Sequence, residues 1–185
     1  MVENEFNYYY IRRKGDKAYP LIKVVGAEED DDGGIVLMEL QFNSPVPPNP
    51  VLADYLSGPD VFLSKRIIEK IKSLQPEGVL FVPTELTDTK GNKTDDYIAV
   101  LPGDDNYYEA MDKERSKYEI KHGGYWIDKL ALNTETLKKI PLKERLIFAL
   151  SELPGKTLFH KSVADAIIEL EPTGMVFVNI EDYEL

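Results

Sequence analysis

The sequence predicts one α+β domain, with a mixed, largely antiparallel sheet and a few short helices. Its 185 residues suffice to bury a core within a single domain, 1–185. Short apolar and aromatic runs are separated by turns rich in glycine, proline and aspartate, which is typical of strands. A repeated strand–helix–strand unit adds helices to the same domain.

The repeat relates residues 61–86 to residues 157–180. With a shift of 96 positions, since 161 − 65 = 96, residues 65–82 align with 161–178, and seven of the eighteen pairs are identical. The identical pairs are Lys65/Lys161, Ile71/Ile167, Leu74/Leu170, Pro76/Pro172, Gly78/Gly174, Phe81/Phe177 and Val82/Val178. In each copy apolar residues recur at helical spacing, proline and glycine end the helix, and an apolar strand follows. Each copy therefore predicts a strand, a helix and a strand.

The first fifty residues predict strands at 6–13, 19–25 and 35–42, followed by an extended proline-rich connection at 43–50. Between the last two strands, residues 26–34 read GAEEDDDGG and predict a solvated loop. Its five consecutive carboxylates are Glu28, Glu29, Asp30, Asp31 and Asp32. They lack the alternating ligand spacing of an EF-hand, so a solvated loop or contact with a partner is favoured over metal binding.

The rest of the chain continues this alternation of strands and short helices. A short helix is expected at 51–56, and a hairpin follows the first repeat with its tip at Gly91 and Asn92. A helix is expected at 106–114, because Asp104 and Asp105 precede it and favour a helix start. Further elements are strands at 118–120, 126–132 and 145–150, a helix capped by Asn133 or Thr134, and a turn at Pro154 and Gly155. The expected total is about nine strands and four or five short helices.

Charge and composition restrict the classes of partner. The chain has 33 acidic and 22 basic side chains, a net charge of -11. Such a chain is repelled by nucleic acid and by anionic membranes, and it suits a basic partner, although solubility alone also favours an acidic surface. With no cysteine, no secretion signal and no long apolar run, the chain is expected in the cytoplasm.

A search for chemistry-bearing motifs yields no catalytic, cofactor or metal site. The two histidines, His122 and His160, are isolated from one another and from any metal-ligand pattern. No phosphate-binding glycine loop and no nucleophile spacing is present. Tyr107 and Tyr108 instead follow two aspartates, and aromatic rings beside carboxylates are typical of protein interfaces. Ordinary packing is the alternative interpretation of these tyrosines.

Four segments together carry a family resemblance: FLSKRIIEKIKSLQPEGVLFVPTEL at 62–86, YYEAMDKERS at 107–116, WIDKLALNTETL at 126–137, and LFHKSVADAIIELEPTGMVFV at 158–178. They resemble the immunity protein 11 family of bacterial polymorphic toxin systems, small proteins encoded beside secreted toxins. The resemblance spans about residues 60–185, and residues 1–50 match less well. The family pattern would place a serine at Lys161, and here the serine follows at Ser162.

The resemblance implies an immunity function: binding of a cognate toxin by protein–protein contact without catalysis. A basic toxin domain would suit the acidic charge of this chain. The residues predicted to contact the toxin are Glu28, Glu29, Asp30, Asp31, Asp32, Asp104, Asp105, Tyr107 and Tyr108. A homodimer is possible through exposed strands and tyrosines. Two alternatives stay open, an acidic protein-binding or scaffold module for another partner and an enzyme with an unrecognised site.

Overall fold

The predicted α+β class is confirmed by the structure, a computed structural model that describes residues 5–183. The ends of the expected domain 1–185 therefore lie outside the described residues. Within 5–183 there are fourteen strands, three α-helices and two 3-10 turns. The strands are β1 (Tyr8–Arg13), β2 (Leu21–Glu29), β3 (Ile35–Asn43), β4 (Tyr55–Ser57), β5 (Val61–Ser64), β6 (Val79–Thr87), β7 (Lys93–Thr94), β8 (Tyr97–Pro102), β9 (Tyr107–Tyr108), β10 (Lys117–Lys121), β11 (Gly124–Lys129), β12 (Ile147–Leu150), β13 (Leu153–His160) and β14 (Met175–Asn179). The helices are α1 (Lys65–Ser73), α2 (Thr134–Leu137) and α3 (Lys161–Ile168), and the 3-10 turns are Asp104–Asn106 and Ile180–Asp182.

Two sheets contain most of the strands. The first has the order β3-β2-β4-β5-β8-β6-β7, and a parallel pairing of β3 with β6 closes six of its strands into a ring, here called the first barrel. The second sheet has the order β14-β1-β13-β12-β9 and stays open. The separate hairpin of β10 and β11 packs against the second sheet through Ile127.

The same pattern of strand pairing occurs in both sheets. In the first barrel β8 lies antiparallel between β5 and β6, and in the second sheet β1 lies antiparallel between β13 and β14. The registers agree pair by pair: Ser64–Tyr97 with His160–Tyr8, Val82–Ala99 with Val178–Tyr10, and Phe81–Val100 with Phe177–Ile11. Within each comparison, the residue from the repeat unit is shifted by 96 positions. The residue from the middle strand is shifted by 89, since 97 − 8 = 89. The N-terminal strand therefore completes the second copy of the motif.

Successive side chains of the equivalent strands point to different cores. Phe62 and Leu158 face the interior of their own sheet, whereas the next residues, Leu63 and Phe159, face a shared cluster between the halves. Helices α1 and α3 pack on each other over this shared cluster. As predicted, one apolar face of each helix supplies its members, which include Ile67, Ile71, Val163 and Ile167, with Leu74 and Leu170 packed against them.

The turn that follows each helix packs against the other half of the molecule. Gly174 has φ +79°, and a Cβ there would lie 2.5 Å from the Cβ of Ala53. Gly78, with φ +70°, packs in the same way against the side chain of Asn106. Only glycine combines the left-handed backbone with this close approach, which explains why both copies have glycine at this position.

Asp54 is buried and joins the two halves through a partly buried hydrogen-bond network. Its carboxylate accepts bonds from Ser64 Oγ (2.8 Å), Arg66 Nε (2.7 Å) and Nη2 (2.6 Å), and Thr173 N and Oγ1 (2.8 Å each). Burial raises the pKa of Asp54, but the bonds from Arg66, Thr173 and Ser64 together lower it by more, so the carboxyl stays ionised. Arg66 also donates to the carbonyl of Leu170 beyond α3 (3.0 Å).

Two predicted helices are wrong because tertiary contacts override the local pattern. In place of a helix at 106–114, the chain makes a 3-10 turn and the short strand β9. The amide of Asn106 is buried and donates to the carbonyls of Glu77 (2.9 Å) and Glu144 (3.0 Å), which fixes an irregular backbone. The helix expected at 51–56 is instead extended chain that enters β4, with Asp54 held in its network.

Two smaller predictions also differ from the structure. Strand β2 runs on to Glu29, so only the second part of the expected loop at 26–34 is a turn. Pro154 and Gly155 lie within β13 and not at a turn. Ser64 occupies the N-cap position of α1, but its hydroxyl donates to Asp54 and caps nothing.

Candidate functional site

A groove of about 890 Å³ separates the first barrel from the second sheet. One wall is formed by β3, β5, β6 and β8, and the other by β1 and β13. This volume lies in the range of roughly 300–1,000 Å³ that is typical of clefts for small ligands, so it can receive several side chains.

Some positions of the two groove walls are equivalent in the two copies of the motif. Leu101 and Pro102 of β8 line the first wall, and their counterparts Arg12 and Arg13 of β1 line the second, with the shift of 89. Asp60, directly before β5, and Lys156, in β13, are related by the shift of 96. The two walls therefore have related backbones and very different side chains.

The first wall has large exposed apolar side chains beside the polar residues Ser57 and Asp60. Leu80 is 54% exposed and Ile35 is 41% exposed, which is high for large aliphatic side chains. Both lie where β3 and β6 have not yet begun to pair, since their pairing starts at Met38 and Thr84. Contiguous exposed apolar surface of this kind is typical of binding sites.

Asp60 is a half-buried carboxylate on the same wall. Burial raises its pKa above the ordinary range for aspartate. It forms no hydrogen bond or ion pair with any residue in the described part of the chain. A cation brought into the groove would meet a carboxylate that lacks a counter-ion.

The second wall carries three cations. Lys156 Nζ lies 5.4 Å from the centre of the Tyr10 ring. Arg13 Nη2 donates to the carbonyls of Asp16 (3.1 Å) and Tyr19, and its Nε is buried without a partner among residues 5–183. Arg12 is exposed. This wall is positively charged, in contrast to the first.

The structure brings two of the predicted contact residues into the groove. Asp104 and Tyr107 line it, and Tyr107 is 39% exposed. Asp105 is exposed in the 3-10 turn beside them. Tyr108 points elsewhere: it packs on the second sheet's core, and its hydroxyl contacts Asn106 Oδ1 at 3.1 Å. Burial raises the pKa of Tyr108.

The five predicted carboxylates form an exposed hairpin next to the groove. Glu28 and Glu29 lie in β2, and Glu29 pairs with Ile35, which lines the groove. Asp30, Asp31 and Asp32 occupy the tip, where the Asp30 carboxylate accepts from the N–H of Asp32 (3.1 Å) and that of Gly34 (2.7 Å). The acidic hairpin, residues 28–32, therefore adjoins the edge of the first wall.

Sequence reasoning missed Asp60, Lys156, Arg12 and Leu80. Extending the repeat alignment by a few positions would have paired Asp60 with Lys156. The alignment would not have revealed Arg12. This residue lies in β1, near the start of the sequence, whereas the repeat unit that β1 completes lies at residues 157–180. That equivalence is visible only in the strand register.

The other polar cluster of note is buried beneath the N-terminal segment. Arg145, 3% exposed, donates to the Tyr8 hydroxyl (2.8 Å) and to the carbonyl of Glu5 (3.0 Å). His160 Nε2 contacts the same carbonyl at 3.1 Å, and its Nδ1 accepts from the N–H of Ser162 (3.2 Å). These bonds secure the chain at the start of β1 and cap α3.

Among residues 5–183, no group of three or more histidine, aspartate or glutamate side chains is placed to hold a metal ion. In the same part of the chain, no helix is long and apolar enough to cross a membrane. Comparison of the sequence with protein-family models found no match. Comparison with curated proteins found no match either.

Proposed function

We propose that this protein is an immunity protein that binds a cognate bacterial toxin and holds it inactive by protein–protein contact. The observation that carries the proposal is the groove between the two halves, with exposed apolar side chains on one wall and the acidic hairpin beside it. The resemblance of the two repeat units and of residues 107–116 and 126–137 to an immunity family supports the same function.

The two parts of this surface have different physical tasks. Leu80, Ile35 and Tyr107 can be buried against a partner, and apolar burial contributes about 25 cal/mol for each Å² removed from water. The five hairpin carboxylates belong to a chain of net charge -11. Their field raises the rate of encounter with a basic partner, and added salt weakens this effect.

The proposal assigns no chemical step to the chain. Inhibition follows from occupation of the toxin's surface, and its strength is set by the affinity of the complex. The toxin would be met in the cytoplasm of the cell that makes both proteins, which agrees with a chain that contains no cysteine. Exposed strands such as β14 could also support a homodimer, in which case the groove would be present twice.

The test is co-expression with the toxin domain that the neighbouring gene encodes. We expect cells that make both proteins to grow, cells that make only the toxin to die, and the complex to be recovered on purification. Continued lethality with no recovered complex would overturn the proposal.

A hairpin variant tests the electrostatic part. Changing Glu28 and Glu29 to Gln and Asp30, Asp31 and Asp32 to Asn should lower the association rate at low salt by about tenfold and flatten its salt dependence. The control neutralises five exposed carboxylates that do not line the groove: Glu69, Asp95, Glu135, Glu169 and Glu171. If both variants slow association equally, overall charge and not the hairpin steers the partner.

A further inference from the structure

Part of the groove is lined by equivalent positions of the two copies, and at two pairs of these positions the side chains differ in charge. The shift of 96 relates Asp60 to Lys156, and the shift of 89 relates Leu101 to Arg12. In both of these pairs, the first wall has the acidic or apolar residue and the second wall has the cation. At these positions the first wall is therefore negative or neutral, and the second wall is positive.

These charges are not satisfied within the described part of the molecule. Neither Asp60, Arg12 nor Lys156 forms an ion pair with another residue of 5–183. Asp60 is also half-buried beside apolar side chains, where an ionised carboxylate without a partner is unfavourable. A ligand that supplies a cation on one side and an anion on the other would neutralise both walls.

We propose that the groove receives one extended segment of the cognate toxin in a single orientation, with a lysine or arginine toward Asp60 and an aspartate or glutamate toward Arg12 and Lys156. This inference rests on the proposed function and specifies the partner's chemistry. The reversed segment places like charges together on both walls, so it is excluded by repulsion. The exposed side chains of Leu80 and Ile35 cover an apolar residue of the segment between the two charges.

A polypeptide segment fits this surface better than a free zwitterion. Ile35 and the next residue, Val36, are both exposed (41% and 44%), and they follow the acidic hairpin closely in the chain. Binding energy is therefore available along a path that leads from the groove onto the outer surface. A small molecule with two charges would fill the groove alone and leave that path uncovered.

The test uses the same neighbouring toxin domain, in a form without toxic activity, as the binding probe. Asp60→Asn and Lys156→Gln should each raise Kd by about tenfold. Exchanging the charges, Asp60→Lys with Lys156→Asp, should weaken binding more than either single change, because the dipole across the groove is reversed. The matched controls are Asp95→Asn and Lys90→Gln, at exposed positions of the β6–β8 connection, which should leave Kd within twofold.

A photo-crosslinking side chain in place of Leu80 gives a second readout. Mass spectrometry should find crosslinks to one toxin segment that contains both a basic and an acidic residue. Crosslinks to several unrelated segments would overturn the inference. Tight binding of a free amino acid or dipeptide that competes with the toxin would also overturn it.

The two proposals fail in distinguishable ways. If the unchanged protein forms no complex with the toxin and does not restore growth, both are wrong. If the complex forms and growth is restored, but Asp60→Asn, Lys156→Gln and the charge exchange all bind within twofold of the unchanged protein, only the inference about the groove is wrong.

Discussion

At the scale of single residues, Ser64 and His160 occupy equivalent positions and act differently. Ser64 Oγ donates to the carboxylate of Asp54 (2.8 Å), so it serves the contact between the halves. His160 caps its helix through Nδ1, which accepts from the N–H of Ser162, while Nε2 donates to the carbonyl of Glu5. Both roles require a neutral imidazole with the proton on Nε2.

The environment of His160 predicts that stability decreases at mildly acidic pH. Burial lowers the pKa of His160, and the charge of Arg145 acts in the same direction against the bond to Glu5. Because an unfolded histidine binds its proton near pH 6.5, the unfolded chain binds more protons than the folded chain below that pH. We expect the free energy of unfolding to fall from pH 7.5 to pH 5.5, by at most about 1.4 kcal/mol per pH unit from this residue. Urea unfolding at several pH values measures it.

The control uses the only other histidine in the chain. His160→Asn keeps an acceptor for the helix cap and should remove this part of the pH dependence. His122→Asn, in the exposed turn between β10 and β11 with φ +52°, should leave it unchanged, since asparagine tolerates that backbone. Equal pH profiles for the two variants would show that another group causes the change.

At the scale of elements, the sequence predicted best those units that occur twice. Helices α1 and α3, their buried faces and the turns after them follow from spacing and from proline and glycine. The prediction of a helix at 106–114 is wrong, because the conformation there is set by hydrogen bonds from Asn106 to carbonyls 29 and 38 positions away. Contacts of that range leave no local pattern in a single sequence.

The strand order relates the two copies of the motif by a circular permutation. In the first copy the middle strand, β8, follows the strand–helix–strand unit in the chain, whereas in the second copy its counterpart, β1, precedes the unit. In the first barrel β6 leads through residues 88–96 into β8, which pairs with it. In the second sheet β14 pairs with β1, and Asn179 lies opposite Tyr9, but no chain connects them in that order. A connection from β14 to β1 would give the second copy the same order of elements along the chain as the first.

We therefore expect a permuted chain to fold. It would join residue 185 to residue 1 through a short glycine–serine linker and begin at Gly91, in the exposed tip of the β6–β8 connection. One loop is closed as another is opened, and closure depends weakly on loop length, so unfolding free energy should lie within about 2 kcal/mol of the natural chain. Circular dichroism and urea unfolding test this.

A second permutant provides the comparison. Opening the chain between Val82 and Pro83 cuts β6 where it pairs with β8, and this variant should not fold cooperatively. If the Gly91 permutant behaves no better than this one, the fold does not tolerate a connection from residue 185 to residue 1, and the equivalence of β1 and β8 has no bearing on folding.

At the scale of the whole molecule, the two halves are coupled by the cluster between them. Ile71 of α1 is fully buried in that cluster with residues of both copies. Ile71→Ala should lower the free energy of unfolding by about 2–5 kcal/mol. Trp126, on β11 beside the second sheet, reports a different half of the molecule. Its fluorescence midpoint should shift together with the circular dichroism midpoint.

Separate midpoints would contradict that coupling. In the Ile71→Ala variant, the fluorescence midpoint could stay at its original value while the circular dichroism transition becomes biphasic. That result would mean that the second sheet unfolds independently of α1. Leu142→Ala is the matched control, because this side chain is 44% exposed and its loss should change stability by less than about 1 kcal/mol.

The sequence predicted only those parts of the candidate site that have an unusual local composition. The acidic hairpin and the pair Asp104 and Tyr107 stand out in the sequence as unusual local composition. The groove could not be predicted, because it forms where two halves meet and one wall comes from the N-terminal strand. That Asp60 and Lys156 line the same groove becomes evident only when the packing of the two halves is known.

The position of β1 also has a consequence for biosynthesis. The first barrel is formed by residues 21–102, which leave the ribosome as one continuous stretch and can close during translation. Strand β1 emerges earlier still, yet its neighbours β13 and β14 are made more than 130 residues later, since 153 − 13 = 140. The part of the sheet that is synthesised first is therefore the last to be paired, and its unpaired edge must remain soluble throughout elongation.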